Sequence, residues 1–219
     1  MDITWYGQTC FQFSEQGLAS VVTDPHPPDT GLALPRPRAN VVTVSYDDPQ
    51  CRYTSGVQGP FKLLDGPGEY EIGGVFITGI PTFADGKRGA VRGLNTVFTF
   101  HYQGLTVCHL GRLGHVPAQS QVEHLGAVDV LLVPVGGGGS LAPAQASEVI
   151  SLFEPSMVIP MYYKIEGLKV NLGTLGRFLK EMAVELEKVD RQETLQVTQT
   201  NLSEETRVIV LEPRIGNGG

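Results

Sequence analysis

Cysteine is scarce in this sequence of 219 residues, which contains three cysteines that are far apart. Without a Cys-x-x-Cys pair, the sequence indicates neither a disulfide framework nor a structural zinc ribbon. No apolar run is long enough to span a membrane, and the first residues, MDITWYGQTC, lack the basic start and apolar stretch of a signal peptide. We therefore expect a cytoplasmic protein without a membrane partner.

Positive charge is also in short supply. The sequence contains 16 Lys and Arg residues against 23 Asp and Glu residues, which gives a formal net charge of −7. A partner with a phosphate backbone would be repelled by this excess of negative charge, so we expect no nucleic-acid partner. Hydrophobic residues make up 41% of the chain, which is enough for a sizeable core, and the length suits one domain over residues 1–219.

The order of the predicted elements indicates an α+β protein. Short apolar runs separated by glycine and polar residues predict strands through the first half of the chain. Residues 128–135, VDVLLVPV, predict a strand covered on both faces, and apolar residues at helical spacing predict a helix over residues 172–186. A closing pair of strands is expected within residues 195–211, followed by a frayed tail at 215–219. Two packed sheets with outer helices accommodate this order.

The motifs of common catalytic sites are missing or incomplete. The glycines at positions 136–139 lack the Lys-Ser/Thr of a nucleotide-binding loop, so a strand-to-helix turn is favoured, with a backbone anion site as the alternative. His109 and His115 are close in sequence, but two neutral donors do not complete a metal site. Asp47 and Asp48 precede a proline, which is typical of a turn, although paired carboxylates also bind hard cations.

Six stretches in order resemble the metallo-β-lactamase superfamily, and most closely its branch of metal-dependent hydrolases similar to ascorbate-6-phosphate lactonases. The stretches are WYGQTCFQF, VTVSYDDPQC, DGPGEYEIGGVFITGIPT, CHLGRLGHV, VDVLLVPVGG and VIPMYYK. The resemblance runs from about Ile3 to Lys164. It implies an α+β fold, the metallo-β-lactamase-like αββα four-layer sandwich, with the active site at one edge of the two sheets.

The zinc ligands of that branch are exchanged in this sequence. The second stretch normally reads Ser-His-x-His-Pro-Asp-His, in which the histidines and the aspartate bind up to two zinc ions. The aligned residues here are Ser45, Tyr46, Asp47, Asp48, Pro49, Gln50 and Cys51. The resemblance also places Ala84 at a family histidine, Arg112 at the metal-bridging aspartate and Tyr162 at a further histidine. Every ligand position that aligns is therefore replaced.

These replacements predict a vestigial site without catalytic residues, metal or cofactor. Arg112 would put a permanent cation where the family has an anion between two dications. Because buried polar groups need partners, we expect Arg112 to pair with Asp48 or Asp47. The side chains of Tyr46 and Tyr162 are expected to fill the vacated volume.

The predicted function is a non-catalytic binding or assembly module, which binds a small anion through Arg112 and Lys164, forms a homo-oligomer, or forms an oligomer with an active relative. Two hydrolase alternatives stay open. One is a metal-free site in which Cys51 pairs with His109 or His115. The other is a relocated metal site that draws on Asp47, Asp48, Cys51, His109 and His115.

Overall fold

Two β-sheets form the centre of the structure, a computed structural model that describes residues 1–216. The strands are β1 (Asp2–Trp5), β2 (Phe11–Ser14), β3 (Val21–Thr23), β4 (Val41–Thr43), β5 (Lys62–Leu64), β6 (Gly68–Ile72), β7 (Val75–Phe83), β8 (Leu94–Tyr102), β9 (Leu105–His109), β10 (Val130–Pro134), β11 (Met157–Met161), β12 (Asp190–Gln192), β13 (Thr194–Gln196) and β14 (Arg207–Leu211). The helices are α1 (Gln119–Leu125), α2 (Pro143–Phe153) and α3 (Leu175–Glu181). Of the predicted tail, residues 217–219 lie outside the described residues.

One sheet has six strands in the order β13-β1-β2-β3-β4-β5, and the other has eight in the order β12-β14-β11-β10-β9-β8-β7-β6. Both sheets are mixed, since each combines parallel and antiparallel pairs. The sheets pack face to face: the rings of Phe13 and Phe100, one from each sheet, are 5.0 Å apart in an edge-on arrangement. The Tyr102 hydroxyl also donates to Ala19 O across the core (2.8 Å). The predicted α+β class with two packed sheets is confirmed.

Local sequence explains several elements directly. All five residues of β10 are buried, as its continuous apolar run predicts for a strand covered on both faces. Pro143 occupies the first turn of α2, where its missing N–H leaves no helical hydrogen bond unmade. The hairpin between β6 and β7 turns at Gly73 and Gly74, with φ values of 54° and 78°, because such two-residue turns require left-handed backbone.

Two sequence expectations about the C-terminal third are wrong. The helix predicted over residues 172–186 extends only from Leu175 to Glu181. Ala183 has a φ of 54°, which a right-handed helix does not allow, and Leu186 is 44% exposed instead of facing the core. The closing strands do not pair with each other: β13 pairs with β1, whereas β14 pairs with β11 and β12 in the other sheet.

Within residues 1–216, no helix has the length and apolar character needed to cross a membrane. The two sheets meet at one edge of the sandwich. Ser45 O, just after β4, accepts a hydrogen bond from Thr96 N in β8 (2.7 Å). The ends of β9 and β11 reach the same edge, because both run parallel to β10 and end alongside it. This edge brings together the segments that the sequence singles out.

Candidate functional site

The segment after β4 carries most of the residues of the predicted vestigial site, and buried polar groups hold it in place. The Asp24 carboxylate accepts hydrogen bonds from the Ser45 N–H (2.7 Å) and the Ser45 hydroxyl (2.6 Å). Tyr46 forms an antiparallel bridge with Asn95 in β8. The end of the six-stranded sheet is therefore fastened to the eight-stranded sheet, and the side chain of Tyr46 is fixed at the edge between them.

Asn95 brings the loop after β9 to the same edge. Its Oδ1 accepts from Arg112 N–H (2.8 Å), and its Nδ2 donates to Leu110 O (3.1 Å). A Cβ added to Gly111 would lie 2.4 Å from Ser45 Oγ, so only glycine allows this approach. Sequence reasoning missed Asn95. The signal was a carboxamide inside the largely apolar run LNTVFTF, because a buried amide needs hydrogen-bond partners.

Arg112 lies buried between two aromatic rings. Its guanidinium carbon is 4.3 Å from the ring centre of Tyr162 and 5.1 Å from that of Tyr46. Its Nη1 makes a long contact of 4.0 Å with Cys51 Sγ, and the residue is only 7% exposed. We call Tyr46, Cys51, Arg112 and Tyr162 the arginine cluster. Each cation–π contact contributes about 0.5–2 kcal/mol at such sites, more when the cation is desolvated.

The expected ion pair between Arg112 and an aspartate is wrong. Within residues 1–216, neither Asp47 nor Asp48 comes within 4.0 Å of the guanidinium nitrogens. The Asp48 carboxylate instead accepts from the Gln50 N–H (2.8 Å), which caps the short turn that follows it. The side chain of Asp47 is 92% exposed and pairs with Arg52 at 3.4 Å. Local hydrogen bonds and solvent therefore take both carboxylates away from Arg112.

Burial controls the charge states within the arginine cluster. Burial raises the pKa of the Cys51 thiol, and Asp24 raises it further against the opposing effect of Arg112. Burial also raises the pKa of the Tyr162 phenol. Burial by itself lowers the pKa of Arg112, but Tyr162 and Cys51 outweigh it, so the guanidinium stays charged. At neutral pH the cluster therefore holds one cation, a neutral thiol and a neutral phenol.

One donor of the arginine cluster is left over. Arg112 Nε is buried and has no hydrogen-bond partner within the described residues. An unpaired buried donor costs about 1–3 kcal/mol, so the cation–π contacts stabilise a side chain that is otherwise poorly satisfied. The side chains of Cys51, Arg112 and Tyr162 are almost completely shielded from solvent.

The side chains at this edge do not fit a metal ion. In the described chain, residues 1–216, no group of three or more His, Cys, Asp or Glu side chains is placed to hold one. Zinc sites need three or four nitrogen, sulfur or oxygen ligands held around one point. The structure thus does not assemble the predicted relocated metal site. That site would have drawn on Asp47, Asp48, Cys51, His109 and His115.

The two histidines are engaged elsewhere. His109 is fully buried, with Nε2 donating to Thr9 O (2.9 Å). His115 uses Nδ1 to donate to Val116 O (3.0 Å). Neither imidazole makes a hydrogen bond to Cys51 in the part of the chain that the structure describes. A metal-free Cys–His pair requires such a contact, so it is not formed in this conformation.

The remaining predicted positions are Ala84, Gln50 and Lys164. Ala84 is buried, its side chain has no atom that could ligate a metal, and its backbone N–H donates to Gly93 O (3.1 Å). Gln50 is half-buried in the capped turn after Asp48. Lys164 is exposed and lines a separate cavity that Arg112 does not line. Arg112 and Lys164 therefore do not share the lining of this cavity, and the predicted anion site stays a prediction.

Asp85 organises the loop between β7 and β8, a role that sequence reasoning missed. Its carboxylate accepts four backbone N–H groups. The donors are Lys87, Gly89, Val91 and Arg92, at 2.7, 2.9, 3.0 and 2.6 Å. Burial tends to raise the pKa of this carboxyl, but the four donors outweigh it and the pKa is lowered. The loop then reaches the arginine cluster, where Arg92 O accepts from the Tyr46 hydroxyl (2.8 Å).

Two packed mixed sheets, with the recognisable segments gathered at their common edge, define the class of α+β sandwich in which metallo-hydrolases are built. The sequence model described as the Beta-lactamase superfamily domain matches residues 2–162. The chain therefore belongs to the metallo-β-lactamase superfamily.

Relatives and solved structures agree with this assignment. A UPF0173 metal-dependent hydrolase of Methanoculleus marisnigri is 25% identical over 204 residues, covering 82% of this chain and 89% of the relative. A crystal structure from Thermotoga maritima, described as a candidate Zn-dependent hydrolase of this superfamily, matches with 38% identity and a TM-score of 0.78 over 96% of this chain and 97% of the other. Igni18 of Ignicoccus hospitalis, described as a novel metallo hydrolase, shares the fold at 16% identity, with a TM-score of 0.67 over 97% of this chain and 95% of its own. The predicted metallo-β-lactamase-like αββα sandwich is confirmed.

Proposed function

We propose that this chain uses the metallo-β-lactamase fold without the family's metal centre, as a non-catalytic binding or assembly module. The arginine cluster carries the proposal. In it a buried guanidinium is enclosed by Tyr46 and Tyr162, and the resemblance aligns this residue, Arg112, with the family's metal-bridging aspartate. In this proposal the partner is a small anionic ligand or a second copy of the chain.

Electrostatics supports this reading. A unit charge about 4 Å from a dication is repelled by about 8 kcal/mol at an effective dielectric constant of about 20. Within the cluster, the rings of Tyr46 and Tyr162 attract the guanidinium, which opposes the cost of burying its charge. A metal pair would have to displace the guanidinium from this enclosure, and Ala84 would supply no ligand.

A hydrolase is the second candidate, and the names of the relatives favour it over a pseudoenzyme. The relative from Methanoculleus marisnigri is named a metal-dependent hydrolase, and the structure that is 38% identical is described as a candidate Zn-dependent one. Hydrolysis by this chain would need Cys51 to gain a base or Arg112 to leave the cluster. Either change requires a conformation other than the one described.

Elemental analysis of the purified full-length chain separates the two candidates. The chain is expressed with zinc, manganese and iron in the medium, dialysed against metal-free buffer, and compared with the Thermotoga maritima relative prepared in parallel. We expect substoichiometric metal in this chain and no hydrolysis of lactones or phosphodiesters. Stoichiometric metal would overturn the proposal. Hydrolysis that survives chelation but disappears in Cys51→Ala would support the metal-free hydrolase instead.

A further inference from the structure

A cavity of approximately 630 Å³ opens between the loop after β10 and the segment that leads into α3. We call it the glycine-loop pocket, after its lining residues Gly137, Gly138, Lys164, Asn171, Thr174 and Arg177. Ligand sites for small molecules commonly have volumes of about 300–1,000 Å³. The pocket therefore has room for a metabolite, whereas the arginine cluster is closed.

The charge of the glycine-loop pocket is opposite to that of the chain. Acidic residues outnumber basic ones by 23 to 16 in the sequence, yet the lining includes two cations and no carboxylate. Both cations, Lys164 and Arg177, are exposed, and within residues 1–216 neither forms an ion pair. Their charges are therefore available to a ligand that enters the pocket.

The wall of the pocket is held by the backbone. Gly137 and Gly138 have φ values of 66° and 64°, and a Cβ on Gly138 would lie 2.5 Å from Leu172 Cδ2. Gly136 donates to Tyr162 O (3.0 Å) and accepts from Gly173 N (2.8 Å), which fastens the glycine loop to the neighbouring segments. A fixed wall reduces the ordering that a ligand must impose on binding.

We infer that the glycine-loop pocket binds a small metabolite carrying a phosphate or carboxylate group, with Lys164 and Arg177 as its cationic contacts. The guanidinium of Arg177 offers paired N–H donors to two oxygens, while Lys164 acts as a point charge. Thr174 and Asn171 add neutral hydrogen-bonding groups on the same lining. This inference rests on the proposed function, since it gives the binding module its ligand and its site.

Titration of the full-length chain with inorganic phosphate and with citrate tests the inference. Both titrations are run by calorimetry at an ionic strength held constant with chloride, and amide spectra report whether Gly137 and Gly138 respond. We expect saturable binding of at least one probe. Binding of phosphate alone indicates a phosphate-bearing ligand, and binding of citrate alone indicates a carboxylate-bearing one.

A matched pair of double variants shows whether the pocket is responsible. Lys164→Gln with Arg177→Gln removes both pocket cations, and we expect the affinity to fall about tenfold or more. Lys62→Gln with Arg207→Gln removes the same two charges, one lysine and one arginine, from exposed positions outside the pocket, and Arg207 pairs with Met157 at the start of β11, the end away from Lys164. This control should change the affinity by less than about twofold, as screened distant charges do.

Three outcomes would overturn the inference: no saturable binding of either probe, equal weakening in both double variants, or amide changes confined to residues outside the pocket. If the pocket variant does not fold, Asn171→Asp replaces it, because a carboxylate on the lining should abolish binding at almost unchanged shape. The proposed function fails separately, through metal content. Stoichiometric metal together with a response of the Gly137 and Gly138 amides to phosphate would contradict the proposed function but support this binding site.

Discussion

The arginine cluster and the glycine-loop pocket are neighbours that treat positive charge in opposite ways. In the arginine cluster, the guanidinium of Arg112 is enclosed by two rings and a thiol, with one N–H unpaired. In the pocket, Lys164 and Arg177 are exposed beside open volume. The comparison teaches that the surroundings of a cation, more than its presence near a site, decide whether it stabilises the protein or receives a ligand.

The two regions share one piece of backbone. Tyr162 has a φ of 53°, which is unusual for a bulky residue, and two hydrogen bonds hold it there. Its N–H donates to Gln8 O (3.1 Å), and its carbonyl accepts from Gly136 N (3.0 Å). The ring of Tyr162 thus belongs to the arginine cluster while its carbonyl supports the loop that lines the pocket. A substitution in the arginine cluster should therefore also be tested for its effect on the glycine-loop pocket, and the reverse.

Introducing the metal ligands that the resemblance implies should produce the largest effect, because it replaces the enclosed cation of the arginine cluster by a metal site. The variant combines seven substitutions: Tyr46→His, Asp48→His, Gln50→Asp, Cys51→His, Ala84→His, Arg112→Asp and Tyr162→His. We expect it to bind zinc and to gain about 4 kcal/mol of stability at zinc concentrations about 1,000 times the dissociation constant. Thermal unfolding with and without zinc measures the gain.

The unsubstituted chain is the control for restoration and should show no zinc-dependent shift. A restored variant that folds, as judged by circular dichroism, but binds no zinc would contradict the residue mapping. Ala84 is buried, so a histidine there risks overpacking. A six-substitution variant that keeps Ala84 therefore accompanies the full set, and we expect it to bind zinc more weakly through the remaining ligands.

The fold was largely predictable because its signals are local or come in ordered blocks. The bounds of β5, β9 and α2 follow from short apolar runs and from a proline at a helix start. The strands with which β13 and β14 pair were not predictable, because contacts between residues that are far apart in sequence determine the partners of a strand. Two neighbouring strands in sequence look like a hairpin until the parallel pairing of β14 with β11 is known.

The sequence predicted which residues lie at the candidate site but not which of their side chains contact one another. The blocks place Tyr46, Arg112 and Tyr162 at one edge, and the structure brings them into contact. The expected ion pair of Arg112 with Asp48 or Asp47 rested on their opposite charges alone. Sequence reasoning had no way to weigh the Gln50 N–H, which lies two residues from Asp48 and captures its carboxylate at little entropic cost. Local hydrogen bonds therefore decided a contact that charge counting could not.

Reversing the charge at Arg112 should have the next largest effect. Arg112→Asp removes both cation–π contacts and buries a carboxylate beside a thiol that already senses Asp24 and Asp48. We expect the free energy of unfolding to fall by about 3 kcal/mol or more. Urea unfolding of the metal-free protein measures it.

Arg112→Met is the matched control, since methionine keeps an unbranched chain without charge or unpaired N–H. Replacing a buried charge by an apolar side chain of similar volume is often neutral, so we expect a change within about 1 kcal/mol. Equal losses in the two variants would mean that volume, and not the charge enclosed by the rings, explains the arginine cluster.

Acid should lower the free energy of unfolding because two buried histidines become protonated more readily in the unfolded chain. Burial lowers the pKa of His26 and of His109 below their ordinary 6.5, so each is neutral in the fold and takes up its proton more readily when unfolded. Stability is therefore complete above about pH 6.5 and is lost as the pH falls toward the lowered values, by up to about 1.4 kcal/mol per pH unit for each group. Urea unfolding at pH 7.5, 6.0 and 5.0 measures the loss.

His109→Gln sharpens the acid experiment, because the glutamine amide can replace the Nε2 donor to Thr9 O but does not titrate. We expect this variant to retain roughly half of the pH dependence between pH 6.5 and 5. Asp85 does not enter this window, since its lowered pKa places its own contribution below its ordinary value of 3.8. A slope that is unchanged by the substitution, or stability that rises on acidification, would contradict the assignment.

The smallest effect is expected where the two regions touch at the surface. Tyr46→Phe removes the hydroxyl that donates to Arg92 O (2.8 Å) but keeps the ring over the guanidinium of Arg112. The bond is partly solvated, so its loss should cost less than about 1 kcal/mol. Tyr46→Leu, which removes the ring as well, should cost more, and the difference between the two reports the cation–π and packing contributions of the ring together.

The Tyr46 hydroxyl bond also offers the strictest test of whether the regions are independent. Arg92 accepts that bond, and its guanidinium lies against the glycine loop, where a Cβ on Gly139 would meet Nη1 at 2.1 Å. Tyr46→Phe should nevertheless leave the phosphate or citrate affinity unchanged within about twofold, because neither Tyr46 nor Arg92 lines the glycine-loop pocket. A larger change in affinity would show that the enclosed cation and the open pocket are energetically coupled, so that the closed edge regulates the ligand site beside it.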